Sequence, residues 1–125
     1  MIAYVTVGTN NFERAEKFFD ELLAELDIKQ VMKTDRMIFW GDESGGAGLS
    51  VVKPLDGEPA TVGNGVMISL GARTSAQVDQ AYKKALDLGA LDEGQPGPRS
   101  QGFYVAYFRD LDGNKFNLFC ANPQG

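Results

Sequence analysis

The sequence contains no histidine and only one cysteine, and these two shortages restrict its chemistry strongly. Without imidazole the chain cannot form a Ser-His-Asp or Cys-His catalytic arrangement, and it lacks the commonest transition-metal ligand of proteins. Cys120 has no partner for an internal disulfide or a CxxC motif, so we expect a small buried apolar residue. Any bound metal would need oxygen ligands, which favour magnesium or calcium over zinc or iron.

Basic charge and long apolar runs are also scarce. Lysine and arginine number 12 against 17 aspartates and glutamates, which gives a formal net charge of −5. A nucleic-acid surface needs clustered cations to neutralise phosphates, so this balance argues against one. No apolar run approaches the ~20 residues that span a bilayer, and Met1 to Gly8 lack the basic segment of a signal peptide. We therefore expect a cytoplasmic protein with neither nucleic acid nor membrane as a partner.

An internal repeat organises the 125 residues, which suffice for one compact domain but not for two independent ones. Residues 1–7 form an apolar run before Gly8, and residues 66–70 form a similar run before Gly71. A helix signal follows each run, with asparagine N-caps in the first half and the capping-box sequence TSAQ in the second. The apolar helix faces correspond, since Ala15, Phe19, Leu22 and Leu23 align with Val78, Tyr82, Ala85 and Leu86.

Three strands are predicted after each helix, at residues 27–33, 36–42 and 48–54 and again at 89–94, 103–110 and 114–120. Each half is therefore predicted to be βαβββ. One module covers about 1–54, a proline- and glycine-rich linker 55–64, and a second module about 65–125. The composition of residues 92–102 predicts a second long loop.

The sequence DLDGN at 110–114 has two interpretations. Asp110, Asp112 and Asn114 match the first ligands of a calcium-binding EF-hand loop. However, Lys115 occupies the position that needs glycine, and Ala121 occupies the position that needs a bidentate carboxylate. A tight hairpin turn is the better interpretation.

The two βαβββ halves, with YVTVGTNNFERAEKFFDELLAELDIK at the start and GFYVAYFRDLDGNKFNLFC at the end, resemble the vicinal oxygen chelate superfamily. This superfamily includes glyoxalase I, fosfomycin and bleomycin resistance proteins and extradiol dioxygenases. The resemblance covers nearly the whole chain and implies a single α+β domain whose two modules form a curled mixed sheet, a cup. Metal-dependent members line that cup with histidines and a glutamate, whose positions fall here on Tyr4, Met67 and Asn117.

Phenol, thioether and amide are poor ligands for the usual divalent ions and supply no carboxylate. The resemblance therefore implies a member that uses no transition metal and no other cofactor, and in which a metal acting as a Lewis acid has no place.

Strand alternation extends the candidate binding residues, because side chains two apart share a face. If the three positions face inward, so do Thr6, Ser69, Lys115 and Phe119. The resemblance adds Tyr107 and, with it, Phe103 and Val105. Trp40 fits packing and ligand contact equally, and Arg99 is a solvated arginine or an anion clamp near the rim. The candidate ligand-binding residues are Tyr4, Thr6, Trp40, Met67, Ser69, Phe103, Tyr107, Asn117 and Phe119.

Each of these side chains also has an ordinary structural interpretation, such as a half-buried strand tyrosine or a gap-filling methionine. Two functions follow from the set. The first is a homodimeric protein, similar to bleomycin-resistance proteins, that binds a mid-sized, partly apolar small molecule. The alternative is a metal-independent lyase, isomerase or antibiotic-modifying enzyme with Tyr107 as the acid or base. A carboxylate or lysine within hydrogen-bond reach of Tyr107 would favour the enzyme.

Overall fold

The computed structural model describes residues 1–123, which divide into two compact units, Met1–Val62 and the chain from Gly63 onward. Each unit has the order β-α-β-β-β, so the predicted repeat is confirmed. The first unit contains β1 (Tyr4–Gly8), α1 (Phe12–Ala24), β2 (Lys29–Lys33), β3 (Met37–Gly41) and β4 (Gly48–Val52). The second contains β5 (Ile68–Gly71), α2 (Ser75–Asp87), β6 (Leu91–Pro98), a 3-10 turn (Ser100–Gly102), β7 (Tyr104–Arg109) and β8 (Lys115–Cys120).

Each unit holds one four-stranded mixed sheet, with strand orders β1-β4-β3-β2 and β5-β8-β7-β6. The first strand of each unit pairs in parallel with the last, and the remaining pairs are antiparallel. The predicted α+β class with two βαβββ modules is confirmed. Among the helices of residues 1–123, none is long and apolar enough to cross a membrane.

Both helices begin where the capping signals predicted. The Asn11 side chain accepts a hydrogen bond from the Arg14 amide at 3.1 Å, and the Thr74 hydroxyl accepts one from the Gln77 amide at 3.1 Å. These bonds satisfy backbone donors that the first helical turn leaves without a partner. The repeated sequence pattern thus fixes equivalent helix starts in the two units.

Each helix covers one face of the sheet in its own unit. In the first unit, Phe19 of α1 contacts the Trp40 ring at 5.6 Å between centroids. In the second, the Tyr104 hydroxyl donates to Asp79 of α2 at 2.8 Å, which identifies the helix-facing side of β7. Side chains on these covered faces form the two cores; they include Ile38, Trp40, Val51, Ala106, Phe108, Phe116, Leu118 and Cys120. Cys120 is a buried free thiol, as predicted.

The second helix buries a narrower face than the repeat predicted. Val78 and Ala85 are buried like their counterparts in α1, and Ala81 is buried as well. Tyr82 and Leu86 are only half-buried. The Tyr82 hydroxyl instead donates to Asp92 at 2.8 Å, and burial together with this bond raises the Tyr82 pKa to about 12.

The predicted loop at 92–102 is mostly wrong, because β6 continues to Pro98. Its pairing with β7 is irregular, with register shifts between Asp92 and Gly94 and between Gly94 and Gly97. Proline and glycine are compatible with an edge strand interrupted by bulges. In the first unit, Ala60 of the predicted linker accepts a bond from the Asn10 side chain and donates one to it, at 3.1 and 2.7 Å.

The DLDGN segment forms the predicted hairpin turn between β7 and β8. Asp110 is 4% exposed, and its carboxylate accepts hydrogen bonds from the amides of Asp112 and Asn114 and from the Asn114 side chain. Burial raises the Asp110 pKa, and the bonds from Asn114 and Asp112 oppose that effect. The carboxylate is therefore occupied by its own turn.

Replacement of Asp110 tests this arrangement. We expect Asp110→Ala to lower the free energy of unfolding by about 1–3 kcal/mol, because buried amide donors lose their acceptor. Asp56→Ala is the matched control, since Asp56 accepts the Glu58 amide in an exposed loop and should cost much less. Chemical denaturation of both variants measures the difference. Equal losses would show that the Asp110 carboxylate has no special role in the fold.

Candidate functional site

The sheet face opposite α2 carries most of the second unit's predicted site residues. Strand pairing places Ser69, Asn117, Tyr107 and Gly94 in one row across β5, β8, β7 and β6. Residues two positions away on β7 and β8 share this face, because side chains alternate along a strand. We call this surface the open face of the second sheet; its side chains are Ser69, Phe103, Val105, Tyr107, Arg109, Lys115, Asn117 and Phe119.

An aromatic pair forms one part of the open face. The rings of Phe103 and Phe119 lie 4.8 Å apart between centroids in a tilted arrangement. Val105 is the cross-strand partner of Phe119 and is 3% exposed. This part of the face offers apolar contact to a ring or an alkyl group.

Asn117 lies at the centre of the row and is 5% exposed. Within residues 1–123 its Oδ1 atom has no hydrogen-bond partner. An unpaired buried carbonyl costs about 1–3 kcal/mol, so native proteins rarely retain one without a reason. The Asn117 amide oxygen is therefore an acceptor without a donor from the described chain.

Tyr107 lies beside Asn117 and has cations rather than carboxylates as neighbours. The Arg99 guanidinium carbon is 5.7 Å from the centre of its ring, and the Lys115 ammonium is 5.6 Å from it. Among residues 1–123 the Tyr107 hydroxyl has no hydrogen bond to a carboxylate or a lysine. The contact that would favour Tyr107 as an acid or base is therefore missing from the described part of the chain.

The first unit has a row of the same kind on the face opposite α1. Thr6, Ser50, Phe39 and Met32 are aligned across β1, β4, β3 and β2. The Tyr4 ring packs edge-on against Phe39 with 4.6 Å between centroids. Ser50 is 0% exposed, and its hydroxyl oxygen has no hydrogen-bond partner in the described chain.

Ser50 and Asn117 occupy equivalent positions, each in the middle of the strand that pairs in parallel with the first strand of its unit. They are also the two buried side chains that carry an unpartnered polar atom among residues 1–123. Sequence reasoning missed Ser50 and Phe39. The available signal was the repeat itself, because a serine in the apolar strand GLSVV aligns with the asparagine of KFNLF.

One predicted residue lies on the other face of its sheet. Trp40 is on the covered face of β3, where it is 1% exposed and its indole nitrogen donates to Asp20 at 2.8 Å. This position does not agree with the prediction of Trp40 as a ligand-binding residue. Trp40 and Phe39 are consecutive in β3 and point to opposite faces, and Phe39 is the one that contacts Tyr4. Met67 precedes β5 and is 42% exposed. That Tyr4, Met67 and Asn117 surround one point remains a prediction.

The sequence profile of the Glyoxalase/Bleomycin resistance protein/Dioxygenase superfamily matches residues 1–118 of this chain. The chain belongs to this superfamily. The resemblance noted from the sequence is thereby confirmed, and it agrees with the two βαβββ units.

Solved structures agree with this assignment. A glyoxalase/bleomycin resistance protein from Albidiferax ferrireducens T118 is 32% identical, with a TM-score of 0.89 and coverage of 96% of this chain and 98% of the other. A lactoylglutathione lyase from Agrobacterium tumefaciens shares the fold at 18% identity, with a TM-score of 0.72 and coverage of 100% and 96%. No curated protein matched the chain significantly.

The described residues do not fit the metal of the superfamily's metal-dependent members. No group of three or more His, Cys, Asp or Glu side chains in residues 1–123 is arranged to hold an ion. The positions that the resemblance assigns to the family's ligands hold Tyr4 and Met67, which are 49% and 42% exposed, and the amide of Asn117. This set contains no carboxylate, imidazole or thiolate, so it supplies none of the usual transition-metal ligands and no charge to offset that of the ion.

Gly94 sets the position of the Tyr107 ring. A β-carbon at residue 94 would lie 2.9 Å from Cδ1 of Tyr107, which is closer than unbonded carbons approach. We expect Gly94→Ala to lower the free energy of unfolding by about 1–3 kcal/mol through overpacking and through the positive φ of residue 94. In a Tyr107→Ala background the same change should cost less, because the clash with the ring is gone and only the backbone contribution remains.

Gly71→Ala is the control, since a β-carbon there meets nothing within 4 Å. Thermal or chemical unfolding of the four members of the cycle measures the coupling. A Gly94→Ala cost that is the same with and without the Tyr107 ring would contradict the contact.

Proposed function

We propose that the protein binds a mid-sized, partly apolar small molecule on the open face of the second sheet, without a transition metal or another cofactor. The observation that carries the proposal is the buried, unpartnered Oδ1 of Asn117, which lies in the row between Ser69 and Tyr107. A ligand N–H or O–H group would supply the missing donor. Hydrogen bonding to a ligand is one reason for a protein to retain such a costly group.

The surroundings of Asn117 support a ligand of mixed polarity. The pair Phe103 and Phe119 offers ring contact, while Ser69 and Tyr107 offer hydroxyl groups. Small-molecule sites combine apolar and aromatic lining with a few placed polar groups in this way. The bleomycin-resistance relatives bear the name of a ligand, and the same general activity, binding of a small molecule, is what we propose here.

Binding is preferred over catalysis because the described chain provides no group to exchange a proton with Tyr107. An acid or base needs a partner within hydrogen-bond reach. We further propose a cytoplasmic protein with no nucleic-acid partner, consistent with the net charge of −5.

Asn117→Leu tests the proposed function. We expect the free variant to unfold at the same temperature as the parent or slightly higher, because the change removes an unpaired buried carbonyl while keeping the branched shape of the side chain. A thermal-shift screen of metabolites and antibiotics identifies compounds that stabilise the parent. The dissociation constants of these compounds should be at least tenfold higher for the variant.

Tyr104→Phe is the matched control, since Tyr104 lies on β7 but faces α2. It should keep full stabilisation by the same compounds, and EDTA should leave the parent's response unchanged. If Asn117→Leu binds the stabilising compounds as well as the parent, the ligand site lies elsewhere. If EDTA abolishes binding, the metal-free part of the proposal is wrong.

A homodimer is also proposed, from the edge strands of the two sheets. Val31 and Met32 on β2 and Leu91 on β6, the two edge strands, are 64%, 50% and 64% exposed. Such edges are commonly covered by a second chain or protected by charge. Light scattering at micromolar concentration should give twice the 13.6 kDa chain mass. A monomer under those conditions would contradict the proposal.

A further inference from the structure

We propose that the ligand of the open face is an aromatic or apolar anion whose oxyanion group is held beside Tyr107 by Arg99 and Lys115. This inference rests on the proposed function and adds the chemical class of the ligand. It assigns a binding role to two cations that the row of Ser69, Asn117 and Tyr107 does not include.

Positive charge is concentrated at Tyr107 in a chain whose net charge is −5. Arg99 and Lys115 both lie within 6 Å of the ring centre, at 5.7 and 5.6 Å, and Arg109 is the cross-strand partner of Lys115. The one carboxylate that pairs with these cations in the described chain is Glu93, 3.2 Å from Arg109 and 4.0 Å from Lys115. In the described chain, one carboxylate, Glu93, therefore serves as the ion-pair partner of two of these three cations.

Glu93 pairs more closely with Arg109 than with Lys115, so the ion pair of Lys115 is weak. Oppositely charged groups at 4.0 Å are at the limit of an ion pair, and both side chains are about one-third exposed to solvent. The Lys115 ammonium therefore keeps N–H donors that can bind a ligand oxyanion. It lies on the same strand face as Asn117, two residues away.

Arg99 has no carboxylate partner among residues 1–123 and is held by backbone carbonyls. Its two terminal nitrogens donate to Pro98 and Gln95 at 3.2 and 2.8 Å. The amide of Arg99 also donates to the Phe103 carbonyl at 2.7 Å, which ties the residue to the start of β7. A guanidinium has five N–H donors, so two bonds fix its position while the others can bind an oxyanion.

Three chemistries follow one another along the open face of β8. Lys115 supplies a cation, Asn117 an acceptor and Phe119 an aromatic ring, and alternate residues of a strand are about 6.6 Å apart. A matching ligand has an oxyanion at one end, a hydrogen-bond donor in the middle and an apolar ring at the other end. Aromatic carboxylates and sulfonates that carry an amine or hydroxyl group have this pattern.

A pair of dyes separates charge from apolar contact. The anion 8-anilinonaphthalene-1-sulfonate carries a sulfonate, an N–H donor and aromatic rings, and N-phenyl-1-naphthylamine is the same molecule without the sulfonate. Fluorescence titration of the intact protein should show tighter binding of the anion by about tenfold or more, because charge-assisted hydrogen bonds are the stronger ones. Added salt should weaken binding of the anionic dye and leave binding of the neutral dye unchanged.

The variants Arg99→Gln and Lys115→Gln should each weaken binding of the anionic dye about three- to tenfold and leave the neutral dye within twofold. Lys83→Gln is the matched control, because Lys83 lies on α2 and pairs with Asp87. It should leave both affinities unchanged. Circular dichroism and thermal unfolding confirm that each variant is folded.

Equal binding of the two dyes, no binding of the anion, or no response of the anion to Arg99→Gln and Lys115→Gln would overturn the inference. Asn117→Leu and Phe119→Ala distinguish this failure from failure of the proposed function. If they weaken both dyes while the charge variants do nothing, the face binds ligands but does not select anions. If they affect neither dye, the open face is not the binding site and both proposals fail.

Discussion

The packing of one amphipathic helix against one face of each sheet is the constraint on which the rest of the structure depends. Phe19 of α1 lies against Trp40, and α2 lies along the side of β7 that carries Tyr104. Because strand side chains alternate, this packing assigns every second residue to a core and leaves the next one on the other face. The core therefore fixes which residues are available for function without specifying their chemistry.

The two units use this freedom in parallel ways. Each places a polar residue, Ser50 or Asn117, in the middle of an apolar strand on the face away from its helix, and each leaves one polar atom of that residue unpartnered in the described chain. Such atoms lower stability, and native proteins seldom retain them without a reason. On the face of the second sheet, the cations Arg99 and Lys115 also flank Tyr107.

Periodicity predicted the elements, the helix caps and the sharing of one face by Asn117 and Phe119, because these depend on local spacing, while Tyr107 was added by the family resemblance. The sequence left open whether Trp40 faces the core or a ligand. Its orientation depends on which face of β3 packs against α1 and on a hydrogen bond to Asp20, which is distant in the sequence. The start of β6 was predicted, but its continuation to Pro98 was hidden because proline and glycine signal loops, while bulged pairing with β7 is a tertiary effect. Alternation placed Lys115 on this face, but the closeness of Lys115 and Arg99 to Tyr107 depends on the pairing of β6, β7 and β8, which local spacing does not show.

The central claim is that the open face of the second sheet binds ligand through Asn117. The most direct test is a nuclear magnetic resonance titration with 8-anilinonaphthalene-1-sulfonate that follows the side-chain amide of Asn117, assigned by its absence from the Asn117→Leu spectrum. We expect this signal to shift in a saturable manner together with amides of β7 and β8, while those of exposed residues on α2, such as Lys83, stay in place. Shifts confined to either helix, with the Asn117 signal unmoved at saturation, would contradict the account.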